Sequence, residues 1–468
     1  MTVDTDLPVG VRPRHETRLA SAKPAGDDDL SWMPAWRLRE LIGARALSPV
    51  EVTEHFLARI ADLDPQLHAF RQVDADGARA QAKQAEAAVM AGETLAPLHG
   101  IPVAMKEFLQ IKGLSWRDLS LPNDGVPRDL VAPRDSLEAE RMRAAGAVLV
   151  GPTVAGLVVR EFGDSDRMPL NPWDTERVCG DSSSGSACAA SSAMTPLTIS
   201  GDGLGSTRLP AAFCGLVGLH PTRGLVPSFE WEHIGTRPVS TYGPLARDVR
   251  DAATVLAGLA GPDGRDQMGL QDDPPDYLAN LDGGAKGMRL VWSDDFGYAS
   301  DFAVEESHRV IETVRAAAFQ LASAGAEMRV TDEVFENPGW VANTVLMGDP
   351  TISVSTQPSR ADAVRVRETR QRIWTALRRV LSEVDFILTP TILSIAPTRK
   401  AWADGGVAQG FSGLYTAMTG VANLLGWPAM SVPAGLVDGM PVGLQIIGRP
   451  NSEARMLQLA QAFLTTRE

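Results

Sequence analysis

Residues 98–106 read Leu-His-Gly-Ile-Pro-Val-Ala-Met-Lys. The run Ile101–Met105 is short, apolar and preceded by a glycine, so it reads as a buried strand that delivers Lys106 at its end. Working outward, Asp135 and Glu138 open a helix that closes at Ala144-Ala145-Gly146, and Val148-Leu149-Val150 reads as the next strand. Further on, Arg289–Trp292 and Glu327–Val330 read as strands flanking a helix over 303–324. Phe386–Leu388 and Met430–Val432 add two more. Strands alternating with helices give an α/β class, with a sheet covered on both faces.

Upstream the texture differs. Residues 1–32 are rich in Pro, Asp and Arg without periodicity and read as a poorly ordered extension. Residues 33–95 read as a helical segment ahead of a main body over 96–468. Within it, Ser48-Pro49-Val50-Glu51 has the form of a capping box with proline at the first helical position. A second helix is expected from about Asp74 to Ala91, ending near Gly92.

The 468 residues carry 58 acidic against 44 basic side chains, a formal charge of -14. That balance argues against gripping a nucleic-acid backbone and leaves small neutral substrates as the expected partners. Cys179, Cys188 and Cys214 are too few for a disulfide framework and fit a reducing, cytoplasmic setting. No Cys/His spacing suggests a metal, and no apolar run is long enough to span a bilayer, so membrane association is not expected.

The richest stretch is Gly180-Asp181-Ser182-Ser183-Ser184-Gly185-Ser186, followed by Gly201-Asp202-Gly203-Leu204-Gly205-Ser206-Thr207-Arg208. Three readings compete: plain turns, a phosphate cradle, or a nucleophile site whose backbone N–H groups stabilise an oxyanion. The phosphate reading lacks the GxxxxGK[ST] spacing. A nucleophilic serine needs a base, and the GxSxG elbow is absent because position 184 is serine. Lysine is the alternative base, and Lys106 lies where burial would desolvate it. Alone, a lysine there is more often structural.

The chain resembles the amidase signature family, whose pattern joins a GIPVxxK strand, a GGSSGGS loop and a DxGGSxR nucleophile loop. Here Ser182 lies 76 residues after Lys106 (182 − 106) and Ser206 lies 24 after Ser182 (206 − 182), intervals that suit the family. Flanking matches include Asn171-Pro172-Trp173-Asp174, Pro221-Thr222-Arg223-Gly224 and Pro441-Val442-Gly443-Leu444-Gln445. The resemblance implies a single large mixed β-sheet and makes Ser206 the nucleophile, Lys106 the base and Ser182 the proton relay on a cis peptide bond. Ser183 would help hold the lysine. Gly203, Leu204, Gly205 and Ser206 would supply oxyanion donors, with Asp202 and Arg208 bracing the loop. No metal or organic cofactor is implied. Burial would favour a neutral lysine, against an unperturbed pKa of ~10.4.

Three family glycines are replaced, by Asp181, Ser184 and Leu204. Asp181 is expected to face solvent; otherwise its carboxylate would raise the pKa of the lysine and shift activity to higher pH. The bulky residues after Lys106 (Trp116-Arg117-Asp118-Leu119), with Trp231, Trp340 and Met347, suggest an apolar pocket to which Asp181 adds a carboxylate. For any single tryptophan, filling the core is the better reading. Residues 333–385 are expected to form a helical lid, with a helix through 364–381.

The expected activity is hydrolysis of small hydrophobic or aryl amides, with carbamates (urethanes) or esters as the alternative. A tRNA amidotransferase subunit is disfavoured for want of a legible glutamine pocket or basic docking surface. A non-catalytic module is disfavoured because the three polar residues are retained. The expected state is monomer or homodimer.

Overall fold

The computed structural model of the chain describes residues 30–117, 130–156, 167–228, 239–347, 359–403 and 413–467. Two of its first three helices are fixed by capping chemistry. Helix α1 spans Ala35–Gly43, α2 Pro49–Leu67 and α3 Ala75–Ala91. Ser48 Oγ accepts the Val50 N–H at 3.0 Å and the Glu51 N–H at 3.5 Å, while the Glu51 carboxylate accepts the Ser48 N–H at 3.0 Å, the reciprocal pairing expected of a capping box. Asp74 caps α3, and Gly92 ends it at φ 71°, a left-handed turn open to glycine.

Ten strands form one mixed sheet. In chain order they are β1 (Pro102–Lys106), β2 (Val148–Thr153), β3 (Leu197–Asp202), β4 (Val217–His220), β5 (Thr241–Ala246), β6 (Arg289–Trp292), β7 (Glu327–Val330), β8 (Phe386–Pro390), β9 (Ala429–Val437) and β10 (Met440–Ile447). Their spatial order is β7-β6-β8-β10-β9-β4-β5-β3-β1-β2. β1 lies between β2 and β3, parallel to both, which is why its five residues are all buried and its sequence does not alternate. The C-terminal hairpin β9–β10 runs antiparallel and occupies the middle, pairing with β4 on one side and β8 on the other.

Helices cover both faces of the sheet: α4 (Leu137–Ala144), α5 (Ser184–Ser191), α6 (Arg208–Cys214), α7 (Val249–Leu259) and α8 (Ser307–Phe319) among them. The helix expected over 303–324 is shorter: it begins only at Ser307, and a 3-10 turn at Gln320–Ala322 takes up its end. Of the extension expected over 1–32, residues 1–29 lie outside the described residues. In the region of the expected lid, α9 (Gly339–Met347) and α10 (Arg360–Glu383) pack on each other and on α11 (Gly420–Leu425). Cys179, Cys188 and Cys214 are buried free thiols. Among the described residues no helix is long and apolar enough to cross a membrane.

Candidate active site

Parallel pairing of β1 with β3 puts Lys106 and the Gly201–Asp202 end of β3 at the same edge of the sheet. The serine loop before α5 closes over that edge. Lys106 is 2% exposed, and its Nζ donates to Ser182 Oγ at 2.8 Å, Ser183 Oγ at 3.0 Å and Gly201 O at 3.2 Å. The Phe108 ring lies 4.7 Å below the amine. Burial pulls the lysine down to about 7, against the opposing charges of Asp181, Asp202 and Glu107.

Among the described residues no peptide bond is cis, so the cis bond expected at Ser182 is absent. The loop turns instead at Gly180, whose φ is 122°. Asp181 does not face solvent as expected. It is 5% exposed, because the serine loop is packed under its neighbours, and its charge acts on Lys106.

The loop that carries Ser206 is organised by Asp202. Its carboxylate accepts the N–H groups of Gly205 at 2.6 Å, Thr207 at 3.3 Å and Arg208 at 3.4 Å. Of the four expected oxyanion donors, Gly205 therefore already spends its N–H on Asp202, which leaves Gly203, Leu204 and Ser206. Within 201–210 only Gly203 and Ser206 are partly exposed. Leu204 is buried, and its carbonyl accepts the Thr419 hydroxyl at 2.8 Å. No hydrogen bond joins Ser182 to Ser206 among the described residues.

Arg208 finds an acceptor for each of its five N–H groups: Asp202 through Nε at 2.9 Å and Nη2 at 3.1 Å, Asn423 Oδ1 at 2.5 Å, Gln445 Oε1 at 2.7 Å and Thr419 O at 3.1 Å. Burial would raise the Asp202 carboxyl, but the Arg208 charge, His220 and these hydrogen bonds hold it well below the usual carboxylate range. The sequence gives little warning of Thr419 and Asn423. The one signal is a buried asparagine inside the apolar run of α11.

Of the expected pocket residues, Asp181 lies beside Lys106, and Trp116 and Trp340 are described. Trp116 is buried, and its indole N–H is donated to Phe108 O at 3.2 Å. Trp340 packs in a separate cluster with Val341, Ile373 and Leu377, under the Arg365 guanidinium at 4.1 Å. Trp231, Asp118 and Leu119 lie outside the described residues, as does the side chain of Met347. No group of three His, Cys, Asp or Glu side chains able to hold a metal occurs among the described residues.

Comparisons with known proteins bear on the chemistry. The family model described as Amidase matches residues 51–337 and 349–457. A glutamyl-tRNA(Gln) amidotransferase subunit from Roseiflexus sp. (strain RS-1) is 32% identical over 480 residues, covering 91% of this chain and 94% of that protein. Among solved structures, a bacterial aryl acylamidase of the amidase signature family superposes with a TM-score of 0.81 at 24% identity, covering 93% and 96% of the two chains, and so speaks to the fold. The corresponding glutamyl-tRNA(Gln) amidotransferase subunit of Thermotoga maritima superposes at a TM-score of 0.74 with 26% identity, covering 93% and 95%.

These relatives overturn two expectations. The sequence alone favours small hydrophobic or aryl amides, with carbamates or esters behind them, over a tRNA amidotransferase subunit; the curated relatives carry that last name. The expectation rests on bulky residues taken for a pocket, and of these Trp340 packs in a core cluster. The exclusion of nucleic-acid partners falls with it, since those relatives are subunits named for a tRNA. That exclusion rests on net charge, which averages over the molecule. Locally, α10 carries seven arginines against three acidic residues.

Proposed function

The chain belongs to the amidase signature family and is an enzyme of amide-bond chemistry, and we propose that it releases the nitrogen of a glutamine-type carboxamide as the amidase component of a multi-subunit amidotransferase. The chemistry rests above all on the hydrogen-bond accounting at Lys106. The Ser183 hydroxyl donates to Gly201 O at 3.1 Å, so its oxygen is left to accept from the lysine. Once the amine is neutral, its two N–H groups are taken by Ser183 Oγ and Gly201 O. Its lone pair is left facing the Ser182 hydroxyl.

In this reading Ser206 Oγ attacks the carboxamide carbon and gives its proton to Ser182 Oγ. The Ser182 proton passes to Lys106 Nζ. The N–H groups of Gly203, Leu204 and Ser206 are the candidate donors to the oxyanion. The lysine returns its proton through Ser182 to the departing nitrogen, which leaves as ammonia. Water then cleaves the ester on Ser206 and releases the carboxylate. The missing link between Ser182 and Ser206 is a contact of the sort that tightens when substrate binds.

The amidotransferase assignment is supported by relatives that match nearly end to end. The test is ammonia release from L-glutamine by the purified chain, alone and mixed with the remaining subunits of a bacterial amidotransferase. Release that requires Ser206 and rises with those subunits is expected. Absence of glutamine turnover in both settings, with the protein folded, would exclude the assignment.

A further inference from the structure

Glu107 follows the lysine directly, and the chemistry above makes no use of it. It is 2% exposed. Its N–H donates to Thr153 O at 3.0 Å, and its carbonyl accepts the Arg117 N–H at 2.9 Å. The carboxylate accepts the Ala155 N–H through Oε1 at 2.6 Å, and Oε2 lies 3.8 Å from Arg71 Nε. The next N–H along the chain, that of Gly156, donates to Ser184 Oγ at 3.0 Å. Gly156 has no room for a side chain: a Cβ there would stand 2.6 Å from Ser184 Oγ and 2.7 Å from Asp181 O.

Two consecutive N–H groups are thus divided between the residue after the lysine and the residue after the Ser182-Ser183 pair. The polar circuit closes on itself, from Lys106 to Ser182 and Ser183, to Ser184, through 155–156 to Glu107. Ser184, where the family pattern has glycine, supplies the hydroxyl that completes it.

We propose that Glu107 is a positioning residue: it locks the serine loop against Lys106 through residues 155–156 and, balanced by Arg71, sets the charge around the lysine amine. The inference rests on the reading of Lys106 as the base. A glutamine would accept the Ala155 N–H as well as a glutamate does, so the charge has a separate purpose. Burial pushes the Glu107 carboxyl up, while the Ala155 N–H and the charges of Arg71, Arg117 and Lys106 oppose it. The other charges near the amine are Asp181 on the serine loop and Asp202 on β3, and Asp202 is compensated by Arg208 from α6. Beside Asp181, Glu107 with its partner Arg71 is thus the further charge that acts on the base.

The experiment is the pH profile of kcat/KM for wild type, Glu107→Gln, Arg71→Gln and Ser184→Ala, using whichever amide the wild type turns over. Glu107→Gln is expected to move the acidic limb down by about half to one pH unit, and Arg71→Gln to move it up. Ser184→Ala is expected to lower kcat about tenfold or more with the limb unmoved, the mark of lost positioning alone. Limbs that stay at the wild-type pH, or move in the same direction in both charge variants, overturn the electrostatic part. An unchanged kcat in Ser184→Ala overturns the locking part. Should Glu107→Gln not fold, Arg71→Gln decides by the sign of its shift, because the Arg71 side chain is partly exposed. The base assignment fails separately, if Lys106→Ala keeps wild-type activity.

Discussion

Arg208 meets both carboxylate oxygens of Asp202, at 2.9 and 3.1 Å, with side chains 0% and 1% exposed. Removing one partner of such a pair strands a buried charge. Arg208→Ala is therefore expected to cost about 3–5 kcal/mol in urea unfolding. Arg208→Lys should recover less than half, since an ammonium cannot reproduce the two-point fork. A loss under about 1 kcal/mol for the alanine variant would mean that the loop is held by something else.

The depressed Lys106 fixes the sign of two pH effects. Only the neutral amine accepts a proton, so kcat/KM should climb through pH about 7 and then level off. For stability, the unfolded lysine holds its proton up to about 10.5 and the folded one loses it near 7. Between those values the unfolded state binds more protons, so stability rises with pH and is flat below the window. Lys106→Met should abolish that slope in melts taken at pH 7 and pH 10. A slope unchanged in the variant would assign it to other groups.

Asp181 opposes the lowering of Lys106. Replacing it by asparagine removes a buried negative charge, so the acidic limb of the profile should move to lower pH, by up to about one unit. A limb that moves upward would mean that Asp181 acts on the lysine by some route other than its charge.

Gly205 has φ 114°, and a Cβ there would lie 2.3 Å from Thr419 Oγ1. Gly205→Ala should displace the loop that carries Ser206 and reduce turnover by roughly 100-fold or more, the scale of a lost oxyanion donor. A wild-type circular dichroism spectrum together with near-normal turnover would show that the loop tolerates the shift.

The local elements were legible because their signals are local. The Ser48–Glu51 box, the Gly92 terminus and the strand into Lys106 each depend on a few adjacent residues. Bringing Lys106 to Ser182 depended on spacing interpreted through a family pattern. The support around Arg208 could not be read in that way, since Asn423 and Gln445 lie 215 and 237 residues further along the chain. Asp181 was misplaced for a related reason: whether a loop carboxylate is buried depends on what packs over it. The tryptophans leave two readings open, because a large apolar side chain serves a core and a pocket equally well.

The position of the β9–β10 hairpin has a consequence for biogenesis. Strands β4 and β8 touch each other only through that hairpin, the last pair of strands in the chain. On the ribosome, β5-β4 and β6-β8 can form early, yet each must wait with an open edge of unpaired N–H and C=O groups. The same late insertion delivers Gln445 to Arg208. The protein is thus assembled around a gap that its later-made hairpin fills, and the Ser206 loop receives its final brace only as that gap closes.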